Sequence, residues 1–374
     1  MYTQNFQNKK KPRIDLDEII DAFKINVESV ETVKYSGLNK STRVYRVNKV
    51  KSFDELYIVD TPSGRDVACN PQIVGKELTS ACFKAALEAV KIINSLTKIE
   101  KKKHVVIEHV LRAAPGYCLD KAFKIINKRK QLREVWVTPR YTKPSYRDHG
   151  ENTRKLEVAY EDFTRLPQNS DFTLLKPDTE ATGETSRLAL NRIMEHTKRV
   201  NSRIERVILY GFISQDSLKI IKKIAREGGF EILALALEDV MELAFNNYDM
   251  TLYGLDLSYW EKYQKRRKLS SIVPVEVLED LISNFAPGSD QPGDFSSRQK
   301  RIFDGRQWRT GPIFCHLINS LRLLSKLRRI TEDEPWYQHH EVFERKMKKL
   351  WWKIVKYLPH SLLYPRRTFS CMKG

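Results

Sequence analysis

The sequence predicts an α/β fold: a mostly parallel sheet with helices on both faces. Two observations carry that expectation. Between residues 172 and 237 short β-branched or apolar runs alternate with stretches of helical period, the pattern of βαβ units. The chain has 374 residues, 41% of them apolar, which is enough to bury one large core or a core with an extension.

The elements follow in order. Residues 1–15 are polar and basic and read as a loose terminus. Residues 15–60 hold short apolar runs without a clear period. Residues 74–96 read as a helix, because Leu78, Ala81, Cys82, Ala85, Ala89 and Ile92 recur at intervals of three and four. The run 104–111 is β-branched and reads as a strand, followed by the turn Arg112-Ala113-Ala114-Pro115-Gly116 and a helical stretch over 117–126. EVWVT (134–138) is a second strand. Residues 139–153 are polar and rich in Pro, Tyr and Arg, and read as a mobile arm with 156–163 as its returning strand. Then come a strand over 172–175, a helix over 185–197, the strand RVILYGFI (206–213), a helix over 216–226 and the strand EILALAL (231–237). Ser214 is placed to cap the 216–226 helix and Gly228-Gly229 to stop it. Beyond residue 256 the pattern weakens to a short helix over 275–284, a Gly/Pro/Asp-rich loop over 285–305, and two amphipathic helices between 313 and 358, split near Pro335.

The net charge is +19. So basic a chain points to phosphates as partners: nucleic acid, an anionic membrane face or a phosphorylated small molecule. The charge is uneven. Residues 306–374 hold 15 Lys/Arg against 5 Asp/Glu, and Lys9, Lys10, Lys11 and Arg13 open the chain with no acid among them. The five cysteines are scattered with no CxxC pair, which argues against a disulfide framework or a zinc site and for a reducing, cytoplasmic setting. No apolar signal core or 18-residue apolar run is present, so a soluble protein is expected.

In open parallel sheets ligands bind beyond the carboxyl ends of the strands. Two loops stand there, 112–116 and 178–185. The second, Asp178-Thr-Glu-Ala-Thr-Gly-Glu-Thr185, carries an acid, a small Gly-containing turn with hydroxyls and a helix start. That combination suits a phosphate monoester, since backbone N–H groups at a helix N-terminus are anion donors and Thr182 and Thr185 can add hydroxyls. An ordinary capped helix start is the plainer account of the same residues.

Four segments in order resemble the type I phosphoribosyltransferases, uracil phosphoribosyltransferase most. HVVIEHVLRAAPGY (104–117) is similar to the strand and pyrophosphate-gripping loop, and YRDHGENTRKLEVAYEDFTRLP (146–167) to the flexible arm and its returning strand. LLKPDTEATGETS (174–186) is similar to the phosphoribosyl-pyrophosphate loop, and FAPGSDQPGD (285–294) to the late loop that receives the base. The resemblance covers roughly residues 74–305, leaving 1–73 as an N-terminal extension and 306–374 as a basic helical C-terminal extension. It implies transfer of a 5-phosphoribosyl group from its pyrophosphate donor to a nucleobase, uracil first, with Mg²⁺ on the leaving group. Arg112 and Arg147 would bind pyrophosphate and Asp178 the ribose hydroxyls, with Arg112 and Asp178 as the catalytic pair. Ala181, Thr182, Gly183, Glu184 and Thr185 would wrap the 5′-phosphate. Phe285, Gly288, Asp290, Gln291 and Asp294 would lie beside the base.

The pattern departs from the family at Lys176-Pro177, where Asp-Pro is usual, at Ala114 and Glu184, where small residues or glycine stand, and at Asp290-Gln291. These departures ground a second reading: an altered transferase-like protein that senses a nucleotide and binds nucleic acid through its basic termini, in regulation or host defence. Glu108-His109 reads as packing and solvent, His339-His340 as surface and Cys118 as core. The 306–374 region offers a basic face (Arg322, Lys326, Arg329, Arg345, Lys346, Lys348, Lys349, Lys353, Lys356) and an apolar one. Those faces suit a hairpin packed on the domain, nucleic-acid binding, or an interfacial helix on anionic lipid. A homodimer is left open.

Overall fold

The computed structural model describes residues 15–48, 55–101, 104–128, 132–142, 155–253, 257, 260, 271–289, 295–334 and 340–362. The expected loose terminus, most of the 139–153 arm, Arg147, Asp290, Gln291 and Asp294 lie outside the described residues.

After α1 (Leu16–Phe23), the strands β1 (Val30–Val33), β2 (Arg43–Val47) and β3 (Glu55–Asp60) form an antiparallel meander. Helices α2 (Pro62–Cys69) and α3 (Lys76–Thr97) lead to β4 (Val105–Val110), a 3₁₀ turn over Ala114–Tyr117, α4 (Leu119–Ile126) and β5 (Leu132–Tyr141). Then follow β6 (Leu156–Asp162), β7 (Asp171–Glu180), α5 (Glu184–Arg199), β8 (Arg203–Ser214), α6 (Gln215–Gly228) and β9 (Glu231–Leu243). The chain continues through β10 (Met250–Thr251), α7 (Val275–Asn284) and the hairpin β11 (Arg301–Phe303) with β12 (Trp308–Thr310). It ends, among the described residues, in α8 (Ile313–Ile330) and α9 (His340–Leu362).

The main sheet runs β1-β2-β3-β9-β8-β7-β4-β5-β6, with β10 on β9. From β3 to β5 every pairing is parallel, and β6 returns antiparallel on β5. Helices α2, α3 and α4 cover one face and α5 and α6 the other. Both faces being covered explains why β8 and β9 read as near-continuous apolar runs. The periodic helices lie where their spacing puts them, and Ser214 caps α6 by accepting from the Ser217 N–H at 3.0 Å.

Three features differ from the sequence reading. The stretch before residue 74 contributes β3, which pairs in parallel with β9 along Glu55–Leu233 to Val59–Leu237 and so belongs to the central sheet. Strand β7 runs on to Glu180, five residues past the apolar run that marked it. Cys315, on α8, is disulfide-bonded, a bridge that the scattered spacing did not suggest, whereas Cys69, Cys82 and Cys118 are free thiols. No helix among the described residues is long and apolar enough to cross a membrane.

Candidate functional site

The topology fixes where a ligand would enter. From β4 the chain moves to β5 on one side, then returns to β7 on the other side and continues through β8 to β9. The crevice beyond the carboxyl ends of β4 and β7 is therefore the switch point of the sheet. The two loops singled out in the sequence follow these two adjacent strands.

The loop after β4 holds Arg112, which is exposed, and the Leu111–Arg112 peptide is cis. The loop is held from behind. Gln299 Nε2 donates to the carbonyls of Arg112 and Ala113 at 3.3 and 3.2 Å. A Cβ at Gly116 would meet the Gln299 side chain at 2.6 Å and the Phe295 ring at 2.7 Å, so only glycine lets this late segment approach. Tyr117 stacks on Phe295 with ring centroids 4.3 Å apart, and its hydroxyl lies 2.6 Å from Thr179 Oγ1 on β7. These contacts tie the β4 loop, the end of β7 and residues 295–299 into one wall.

The loop after β7 is shorter than expected. Asp178 and Glu180 belong to the strand, and only residues 181–183 connect it to α5. Gly183 is the N-cap of α5 at φ +81°, where a Cβ would also press to 3.0 Å from Ser217 Cα. No side chain caps the helix at Gly183, and the Glu184 N–H donates to Thr182 Oγ1 at 3.3 Å. Ser214 donates to the Ala181 carbonyl and so fixes the loop against α6. The Glu184 carboxylate is drawn along the helix to Arg187, with Oε2 at 2.7 Å from Nη2. It is not laid over the helix N-terminus. Thr185 is partly exposed in the first turn.

Beneath the crevice lies a charge cluster that sequence reasoning missed. Lys176, Asp178 and Glu180 alternate along β7 and so share one face, with Glu108 on β4 beside them. All four are buried. Lys176 Nζ lies 2.9 Å from Glu180, 3.3 Å from Asp178 and 3.9 Å from Glu108. Ser186 donates to Glu180 at 2.5 Å. Asp178 Oδ1 accepts from the Thr179 N–H at 2.8 Å, so both its oxygens are engaged from within the protein.

Burial pushes the Asp178 carboxyl up to about 7 despite Lys176, and burial likewise pushes Glu108 up to about 7. Burial lowers the Lys176 ammonium, but Glu180, Asp178 and Glu108 outweigh it and the net shift is upward. A strand-end Lys in the loop sequence was the available signal, read there only as a departure.

A second network sits at the ends of β3 and β9. Asp60 is clamped by Arg43 at 2.5 Å and by Arg65, with Asp280 2.5 Å from Arg43. Glu238 accepts from the Thr61 N–H at 3.3 Å, and burial, then Asp60, raises its carboxyl well above the usual range.

The other predicted residues fall elsewhere. Phe285 is fully buried, edge-on to Tyr253 at 5.8 Å, and Gly288 lies against Trp260 and Leu327, so both are packing residues in this structure. His109 is buried, stacked on Trp136 at 4.1 Å, with Nε2 3.4 Å from Glu134. The His109 contact, followed by Lys124, holds the Glu134 carboxyl down at about 2. Cys118 is core. Among the described residues no group of three or more His, Cys, Asp or Glu could hold a metal ion.

No protein-family model and no curated protein matches the sequence. Among solved structures the chain is similar to a hypoxanthine phosphoribosyltransferase from Staphylococcus aureus, at 16% identity over 37% of this chain and 65% of that one, TM-score 0.24. It is also similar to an adenine phosphoribosyltransferase from Leishmania donovani, at 14% identity over 41% of this chain and 64% of that one, TM-score 0.27. A third is an adenine phosphoribosyltransferase from Trypanosoma brucei, solved with AMP, pyrophosphate and ribose-5-phosphate, at 10% identity over 52% of this chain and 83% of that one, TM-score 0.30. The chain thus spans just under two thirds of the length of the first two enzymes.

Proposed function

We propose that the crevice between β4 and β7 binds phosphoribosyl pyrophosphate and transfers its 5-phosphoribosyl group to a nucleobase, uracil first. The observation that carries this reading is the N-terminus of α5 at the switch point. It has no side-chain cap at Gly183 and opens from a three-residue loop beside the loop that presents Arg112. Backbone N–H groups there suit the 5′-phosphate, and the Arg112 fork suits the pyrophosphate. Mg²⁺ would ride on the pyrophosphate and neutralise the leaving group. No described cluster would hold it by protein side chains alone.

A second reading has its own observation. The acid meant for the ribose, Asp178, is buried and engaged by Lys176 and the Thr179 N–H. That arrangement favours a protein that binds the donor or a nucleotide without turning it over.

One pair of measurements separates the two. Calorimetric titration with phosphoribosyl pyrophosphate and Mg²⁺ should show saturable binding, weakened several-fold by Arg112→Ala. Nucleotide formation from labelled uracil, with hypoxanthine and adenine as parallel arms, should then fall several-fold in Asp178→Asn. Binding without product in any arm selects the sensing reading. Absence of binding overturns both.

A further inference from the structure

Helices α8 and α9 pack their apolar faces together and onto the domain, through Leu317, Leu324, Leu327, Phe343, Leu350 and Ile354. The charge on the pair is cationic: over these two helices the sequence has ten Lys/Arg and two Glu, and of the ten only Lys346 is buried. Between them runs an open cleft of about 690 Å³. Its rim is Arg322, Lys326 and Arg329 on α8 and Lys348 on α9. Trp351 and Met347 complete the lining, and none of the described residues that line it is acidic.

The three α8 cations recur at i, i+4 and i+7, which sets them on one face as a ridge about 10 Å long. Lys348 and Trp351, at i and i+3, share the facing surface of α9. Trp351 is 58% exposed, unusual for the largest apolar side chain. An indole held open between cations is a stacking platform for a planar π-system attached to phosphate.

The shape argues against a lipid surface. An interfacial helix lays one continuous apolar face on the membrane. In α9 the face that carries Phe343, Leu350 and Ile354 is buried against α8 and the domain, and what it leaves exposed is the short strip Trp351, Trp352 and Val355. That strip is flanked by the exposed Lys348, Lys349 and Lys356, not by a continuous apolar face. Duplex nucleic acid keeps its base faces stacked internally, whereas a single strand offers them.

We propose that the α8–α9 cleft binds single-stranded nucleic acid, one base stacked on Trp351 and the flanking phosphates on Arg322, Lys326, Arg329 and Lys348. This surface is separate from the β4–β7 crevice and does not depend on it.

The test uses the full chain with fluorescein-labelled oligouridylate and oligothymidylate, read by anisotropy and by quenching of tryptophan emission. Saturable, quenching binding is expected. Four phosphate contacts predict a slope of log K against log salt of about −3. Trp351→Ala should weaken binding by about fivefold or more. Arg329→Ala and Lys348→Ala should each flatten the slope by about 0.7. Trp308→Ala removes an indole of similar exposure on the β11–β12 hairpin and should change nothing. All four side chains are exposed, so thermal melts should stay at the wild-type value. If Trp351→Ala nevertheless shifts the melt, the flattened slope of Lys348→Ala decides. The proposal is overturned by no binding at low salt, by affinity indifferent to both Trp351→Ala and Lys348→Ala, or by capture on phosphatidylserine vesicles in preference to the oligonucleotides.

Discussion

Lys176 decides how the acids of β7 can be used. One ammonium faces three carboxyl groups with almost no water-exposed surface among them. Removing one partner of a buried charge set strands the rest, which costs about 3–5 kcal/mol. Lys176→Met is therefore expected to lower unfolding free energy by roughly that amount in urea titrations, and adding Glu180→Gln should recover part of it. The pH dependence has a definite sign. Glu108, raised by burial to about 7, holds a proton in the folded state over a range where the unfolded chain has lost it. Folding then binds more protons than unfolding, so this group's contribution falls as pH rises from about 4.5 to 7. Glu108→Gln should gain stability relative to wild type across that window; a constant difference would refute it. Little of this was legible. The sequence places a Lys two residues before Asp178, but only the strand's continuation to Glu180 turns the three alternating charges onto one buried face. Arg112 and Gly183 were legible, because a turn after a β-branched run and a glycine before a helix are local signals.

Among the elements, α2 shows how distant parts of the sequence combine. Its carboxyl end is closed by two cations that follow it by more than 200 residues. The buried Arg298 guanidinium donates to the carbonyls of Val67 at 2.6 Å, Asn70 at 2.9 Å and Ile73 at 2.9 Å. Lys346, on α9, donates to the Cys69 carbonyl at 2.5 Å. Cations at a helix carboxyl end satisfy orphan carbonyls and oppose the helix dipole. Arg298→Met leaves several buried acceptors empty and should cost about 3 kcal/mol or more, read from the urea midpoint. Burial, reinforced by Arg345 and Lys349, pulls Lys346 down to about 8 against the opposing Cys69. Between pH 8 and about 10.5 the unfolded chain keeps a proton that the folded one has shed, so stability from this group rises with pH there. Lys346→Met should lose that rise. Helices with clear period were readable from the sequence: α7 covers residues 275–284 as expected, and α6 has its Ser214 cap. Strand β3 was not, since a six-residue run buried at nearly every position has no alternation to read. No local pattern marks Arg298 as a cap for a helix so far away.

For the whole molecule the question is whether the basic carboxyl-terminal helices are an appendage. Their composition made residues 306–374 look separable, since charge dominates what can be seen locally. Their apolar side chains, however, close over Val74 and Ala286 in one cluster, with Leu257 and Trp260 against it. Lys353 reaches Glu77 at 2.5 Å, and Lys346 reaches the end of α2. Deleting residues 306–374 would uncover that cluster and take away one of the two cations at α2, whose carboxyl end leads into the loop before α3. The truncated chain is therefore expected to aggregate or to melt well below the full chain, measured by soluble yield and circular dichroism. Each apolar side chain returned to water costs about 1.5–3 kcal/mol, so even a few exceed the margin of an ordinary domain. A truncation that melted at the full-chain temperature would show the helices to be dispensable for the fold. The expected instability also means that loss of nucleic-acid binding on deletion would say nothing about the α8–α9 cleft, whereas the surface substitutions at Trp351 and Lys348 leave the shared core in place.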